Sequence, residues 1–263
     1  MKLKDQIGRL KEVNTTPRRI ISLVPSQTEL LFDLGLEDAI VGLTKFCIHP
    51  IQLKTTEKVV GGTKQINLDK IKALNPDIIL CNKEENTKEI VEACESICTT
   101  HVSDIFTIED SLELINQYGK IFNKELSATK ISNQINANLT DFKAFVKDKV
   151  ILKAAYFIWR KPWMVAGNNT FINHLLELNK FENVYNNLER YPEIELENLS
   201  LNGDPEIVLL SSEPYPFKNE HAIEINNASP HTKTVLVDGE MFSWYGSRLI
   251  KAFNYFKTLR QNL

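Results

Sequence analysis

Aromatic and cationic side chains gather in the same short segments of this 263-residue chain. Trp159-Arg160-Lys161-Pro162-Trp163-Met164 places two tryptophans beside an arginine and a lysine. Gly239-Glu240-Met241-Phe242-Ser243-Trp244-Tyr245-Gly246 holds the third tryptophan and runs on to Arg248. Lys45-Phe46-Cys47-Ile48-His49-Pro50, Gly61-Gly62-Thr63-Lys64 and Glu213-Pro214-Tyr215-Pro216-Phe217 have a similar character. Glycine and proline mark these segments as loops. Rings in loops can stack on a ligand, and Arg or Lys can make charge-assisted bonds to an anionic one. Tryptophans equally serve cores, and the basic side chains could simply balance Glu84, Glu85, Glu213 and Glu240. Cys47 and His49 are the one local pair with soft-metal ligand types. No motif supplies the remaining ligands, and His101, His174, His221 and His231 are scattered. The chain has no G-x-S-x-G elbow, no Walker loop and no H-E-x-x-H pair. No reaction is expected, and an enzyme built on Cys47 and His49 is the alternative.

The elements that must position these loops are those of a water-soluble globular chain. Lys and Arg total 31 against 34 Asp and Glu, a net charge of -3. That balance argues against nucleic-acid binding, which needs a basic footprint. No apolar run approaches the ~20 residues of a membrane helix. A chain of this length buries roughly three quarters of its unfolded surface, so it needs no staple. Cys47, Cys81, Cys94 and Cys98 therefore read as reduced thiols. The N-terminal residues are basic but lack an apolar signal region.

Strands alternate with helices, which predicts a mostly parallel sheet. Residues 19–24, 77–80 and 97–102 read as strands, with helices over 28–36, 85–94 and 108–122. Ser26 and Glu29 suggest a capping box for the first helix. Residues 124–147 contain no Gly or Pro, and Ile131, Ile135, Leu139, Phe142 and Val146 fall at helical spacing. Alternation then resumes, with strands at 153–159, 207–210 and 234–237 and helices at 171–178 and 247–259. The fold class expected is α/β, with two Rossmann-like lobes (1–122 and 149–263) joined by one long backbone helix (123–148). An internal echo supports two lobes. Leu68-Asp69-Lys70-Ile71 precedes Asn75-Pro76-Asp77-Ile78-Ile79-Leu80 in the first half. Leu196-Glu197-Asn198-Leu199 precedes Asp204-Pro205-Glu206-Ile207-Val208-Leu209-Leu210 in the second.

Arg19-Ile20-Ile21-Ser22-Leu23-Val24-Pro25-Ser26-Gln27-Thr28-Glu29-Leu30 resembles the opening of substrate-binding proteins for vitamin B12 and ferric siderophores. Asp5, Gly8 and Arg9 fit the short hairpin often found before it, and both Pro-acidic turns fit as well. The resemblance covers nearly the whole chain and implies an ABC-importer binding protein with an organic metal chelate in a cleft between its lobes. No intrinsic cofactor is implied; cobalt or iron would arrive inside a corrinoid, siderophore or haem-like ligand. Loops after strand C-termini should face it, and these carry Gln27, Lys45, Phe46, His49, Thr63, Lys64, Asn82 and Lys83. From the second lobe come Trp159, Arg160, Trp163, Tyr191, Tyr215, Glu240, Phe242, Trp244 and Arg248. Thr63 and Asn82 stand where the cobalamin-binding pattern has tryptophans, so an anionic chelate is expected over cobalamin. In the resembled family, acidic residues placed like Asp69 and Glu197 dock onto a dimeric permease. Each would also complement the dipole of a first helical turn. The family implies a periplasmic or cell-surface location, whereas the missing export signal favours the cytoplasm or a chain whose signal was removed. A cytosolic binding module or enzyme on the same fold is the competing class.

Overall fold

A computed structural model describes residues 2–263. The chain forms two compact units. The first comprises the residues up to Asn136 together with Trp244–Ile250; the second is Ala137–Ser243 with Lys251–Leu263.

The first unit opens on an antiparallel hairpin, β1 (Lys2–Lys4) and β2 (Leu10–Glu12). Asp5 closes its turn, accepting from the Arg9 backbone N–H at 2.8 Å and from the Arg9 guanidinium at 2.8 Å. Gly8 supplies the positive φ of +88° that this turn needs. Then come β3 (Ile20–Ser22), α1 (Pro25–Asp33), β4 (Ile40–Leu43), α2 (Ile51–Thr56), β5 (Lys58–Val59) and α3 (Leu68–Ala73). β6 (Ile78–Asn82), α4 (Lys88–Glu95), β7 (Thr99–Ser103) and α5 (Ile108–Ile121) follow. The five strands β5-β4-β3-β6-β7 pair in parallel, so all their C-termini share one edge. α6 (Glu125–Val146) starts in this unit and ends in the next. Its 22 residues give a length of about 33 Å.

The second unit contains β8 (Leu152–Trp159), β9 (Trp163–Val165), α7 (Phe171–Leu178), β10 (Phe181–Asn183) and β11 (Glu193–Ile194). It continues with β12 (Ile207–Ser211), α8 (Asn219–Ala228), β13 (Lys233–Val237), α9 (Gly239–Ser243) and α10 (Leu249–Gln261). β10, β8, β12 and β13 are parallel, while β9 and β11 add antiparallel pairs. The fold class is the expected one: two α/β units with parallel sheets, joined through α6.

The two Pro-acidic turns do the same mechanical job. The Asp77 carboxylate accepts from the Arg18 and Arg19 backbone N–H groups at 2.8 and 3.0 Å, and the Asp77 N–H donates to Arg19 O at 2.8 Å. The Glu206 carboxylate accepts from the Lys153 N–H at 2.9 Å, and the Glu206 N–H donates to Lys153 O at 2.9 Å. Each acid thus pins the start of the neighbouring parallel strand. Asn75 and Asp204, just before the prolines, both take positive φ, 43° and 51°. Asn and Asp are the non-glycine residues that tolerate this region best.

Several local expectations shift. α1 starts at Pro25, with Val24 as N-cap and no side-chain cap bond, so the Ser26–Glu29 capping box does not form. A proline in the first turn loses no hydrogen bond and has its φ preset for a helix, which moves the start earlier. Leu196–Asn198 is a single 3-10 turn, where a short helix matching α3 was expected. β4 and α8 were not anticipated. β4 carries a glycine in four residues, and α8 buries only His221 and Ile225, so neither shows a clear apolar period.

Candidate functional site

Phe46 and Lys45 stand exposed after β4, with the Lys45 ammonium 5.0 Å from the Phe46 ring centroid. The backbone beneath them is set by Lys45 N–H donating to Gly61 O at 2.8 Å. A side chain on Gly62 would sit 3.1 Å from the Phe46 ring. Gly61 itself has φ +136° and lies so close to Gln65 that a Cβ would fall 2.5 Å from its carbonyl oxygen. The loop therefore depends on glycine there. Thr63 is buried and its carbonyl accepts from Asn86 Nδ2 at 2.9 Å. Asn82 is buried too; its Oδ1 takes the N–H groups of Glu84 and Glu85 at 2.9 and 3.0 Å. These residues shape the loops after β5 and β6. Lys64 donates to Glu84 O at 2.6 Å, and Lys83 pairs with Asp104 at 2.6 Å.

Gln27, expected at a ligand surface, is fully buried in the first unit. Its Oε1 accepts from Tyr118 at 2.6 Å, and its Nε2 donates to Ser103 Oγ at 2.7 Å and Tyr245 Oη at 3.0 Å. It therefore ties α1 to α5, β7 and the Trp244–Ile250 segment. Arg248 is likewise buried, bonded to Glu29 at 2.8 Å and stacked 4.9 Å from Trp244. Trp244 is 6% exposed and meets His49 edge-on at 5.4 Å.

Cys47 lies under this surface, hydrogen-bonded with Thr28 at 3.1 Å and Thr44 at 3.3 Å. Burial raises its pKa, which keeps the thiol protonated and a poor metal ligand. His49 faces Trp244. Among the described residues no group of three His, Cys, Asp or Glu is placed to hold a metal ion. Cys81, Cys94 and Cys98 are free thiols of the first core, and burial pushes the Cys98 thiol up to about 12.

In the second unit, Trp159 ends β8 and is 40% exposed. It meets Tyr215, after β12, edge-on at 5.7 Å. Trp163 stacks on Phe217 at 6.0 Å with an interplanar angle of 6°. Arg160 is bonded twice to Glu224, at 3.0 and 2.7 Å, and lies 5.6 Å from the Trp163 ring. Glu224 holds the Arg160 pKa above its ordinary value, with Tyr215 adding to the effect. Glu240 opens α9 after β13 and is half-buried. Tyr191 lies 5.6 Å beneath the Arg190 guanidinium. Phe242, expected to face a ligand, is fully buried among Tyr156 and Phe256. Glu224 gave no signal in the sequence, and His221 reads there only as one of four scattered histidines. They lie on α8, whose weak apolar pattern hid the helix.

Asp69 and Glu197 are both exposed and both sit in first helical turns, of α3 and of the 3-10 turn. Asn67 caps α3 by accepting from the Lys70 N–H at 2.9 Å.

Two α/β units linked through one long helix, with ring-bearing loops after their parallel strands, define a two-lobed solute-receptor fold. The family model described as periplasmic binding protein matches residues 20–234, and the chain belongs to that family. It is 26% identical over 253 residues to the ABC transporter substrate-binding lipoprotein YvrC of Bacillus subtilis, covering 91% of this chain and 78% of the relative. The periplasmic vitamin B12 binding protein BtuF of Vibrio cholerae superposes with a TM-score of 0.79 at 18% identity, covering 94% and 99% of the two chains. The siderophore binding protein BauB, bound to ferric iron and two acinetobactin molecules, superposes with a TM-score of 0.80 at 19% identity, covering 99% and 98%. Among the described residues no helix is long and apolar enough to cross a membrane. The cytoplasmic placement read from the N-terminal residues, and the cytosolic alternative with it, gain no support from these likenesses.

Proposed function

We propose that this chain is the solute-binding component of an ABC importer and that its cargo is an organic metal chelate. The observation that carries this reading is the pair of accessible ring sites on strand C-terminal loops, Phe46 with Lys45 and Trp159 with Tyr215. Rings on such loops offer stacking area at low entropic cost, which suits a rigid ligand. The names of BtuF and BauB support a chelate as the class. An anionic, oxygen-rich chelate is favoured over cobalamin, because Thr63 and Asn82 replace the rings a corrin face would need. The charge contribution is smaller than the count of cations suggests. Lys83, Arg160 and Arg248 already face Asp104, Glu224 and Glu29, so Lys45 is the cation assigned to the ligand. Asp69 and Glu197 are assigned to the permease dimer.

Isothermal titration with four probes tests the cargo: cyanocobalamin, haemin, a ferric trihydroxamate and a ferric tricatecholate. Saturable binding of an iron chelate, tighter than cyanocobalamin, is expected. No binding of any probe would sink the reading, and tight binding of cyanocobalamin alone would reverse the preference. Asp69→Lys with Glu197→Lys is expected to leave that affinity unchanged and to cut uptake in cells at least tenfold. Unchanged uptake would remove both residues from the docking surface.

A further inference from the structure

We propose that the Tyr215 hydroxyl is fixed as a hydrogen-bond donor and selects cargo that presents an oxygen acceptor. The inference rests on the functional reading above and assigns a specificity-determining residue within it. Its basis is the tautomer of His221. The Lys218 backbone N–H donates to His221 Nδ1 at 2.9 Å. A ring nitrogen that receives an N–H carries no proton, so the neutral imidazole holds its proton on Nε2. Nε2 lies 3.2 Å from Tyr215 Oη. The nearest carboxylate oxygen, on Glu220, is 3.7 Å away, beyond hydrogen-bond reach. His221 therefore donates, and the phenol oxygen accepts.

Tyr215 also adds, after Glu224, to the interactions that hold the Arg160 pKa above its ordinary value. With the His221 Nε2–H directed at the phenol oxygen, the phenol's own O–H turns away from that nitrogen. Among the described residues that O–H donates no hydrogen bond; the contact of the phenol oxygen is with His221 Nε2. The Tyr215 backbone is already committed, its N–H to Ile158 O at 3.3 Å and its carbonyl to the Phe217 N–H at 2.9 Å. The ring cannot swing freely, because Phe217, His221 and Trp159 surround it at 4.8, 5.3 and 5.7 Å. Tyr215 is half-buried beside the exposed Trp159, so its outward proton faces the ring surface assigned to the ligand. Accepting a bond also strengthens a hydroxyl as a donor. A hydroxamate, catecholate or carboxylate oxygen satisfies this arrangement. An ammonium group or a bare apolar face does not.

Two measurements test it. Nitrogen-15 NMR of the histidine-labelled, ligand-free protein should show His221 protonated at Nε2 and bare at Nδ1. Titration of Tyr215→Phe, which keeps the ring, should show at least a tenfold loss for whichever iron chelate the wild type binds, as expected for losing a bond to a charged acceptor. A proton on Nδ1, or an unchanged affinity in Tyr215→Phe, overturns this assignment alone. Failure of the wild type to bind any of the four probes overturns the functional reading and the ligand assigned to Tyr215 with it.

Discussion

Arg248→Met is expected to lower the unfolding free energy by about 3–5 kcal/mol, the usual cost of removing one partner from a buried ion pair. The side chains of Arg248 and Glu29 are only 5% and 6% exposed, and Nε lies 2.8 Å from Oε2. Loss of the guanidinium leaves the Glu29 carboxylate buried without its counter-charge. The effect should reach beyond one contact, because Arg248 anchors Trp244–Ile250 to the first unit. That short segment also holds Tyr245, bonded to Gln27, and the Gly246 N–H, which donates to Ser111 Oγ at 2.8 Å. Urea unfolding measures the cost, and hydrogen exchange should report faster opening at Gly246. The double variant Glu29→Gln with Arg248→Met should recover much of the stability, since no unbalanced charge remains. A single-variant loss below about 1 kcal/mol would place the pair in the solvent-screened class.

This anchor explains which parts of the molecule could be read from sequence. Local signals were sufficient where the partners are local. α7 has the expected bounds because Thr170 caps it, accepting from the Asn173 N–H at 3.1 Å, and its apolar residues follow a helical period. The two Pro-acidic turns were legible because proline position and an adjacent acid are written in four residues. The Trp244–Ile250 segment gave no such signal. Its decisive contacts, Gln27 with Tyr245 and Glu29 with Arg248, lie 218 and 219 residues apart, and no window or period spans that distance.

The candidate site divides in the same way. Its loops were visible from glycine, proline and strand ends, and Phe46 and Trp159 stand exposed on them. Which cations could serve a ligand was not visible. Arg160 meets Glu224 across 64 residues and Lys83 meets Asp104 across 21. Charge in a loop becomes available only when no tertiary partner takes it. The direction of the Tyr215 hydroxyl belongs to this category too, since it depends on a helix whose periodicity is too weak to read.

Phe242→Ala is expected to cost about 3–5 kcal/mol of stability, the range for deleting a buried phenylalanine ring, while chelate affinity per folded molecule stays unchanged. The sequence around it, between Gly239 and Gly246, reads as a ligand-facing loop. α9 forms there instead and turns Phe242 inward to 0% exposure. Its ring lies 4.8 Å from Phe256 and 5.1 Å from Tyr156, with Tyr255 edge-on at 6.4 Å. Phe256 in turn meets Phe142 at 5.9 Å, so the ring joins α9 to the halves of α6 and α10 that lie in the second unit. Tyr156 donates its hydroxyl proton to Ser211 Oγ at 3.0 Å, which fixes the far wall and limits collapse into the cavity. A cavity that cannot collapse places the cost toward the upper part of the range. Phe242→Leu fills part of the same space and should cost less than half as much. Urea unfolding and a parallel chelate titration separate the possibilities. A variant that keeps its stability and loses affinity would return Phe242 to the binding surface, with α9 turned the other way.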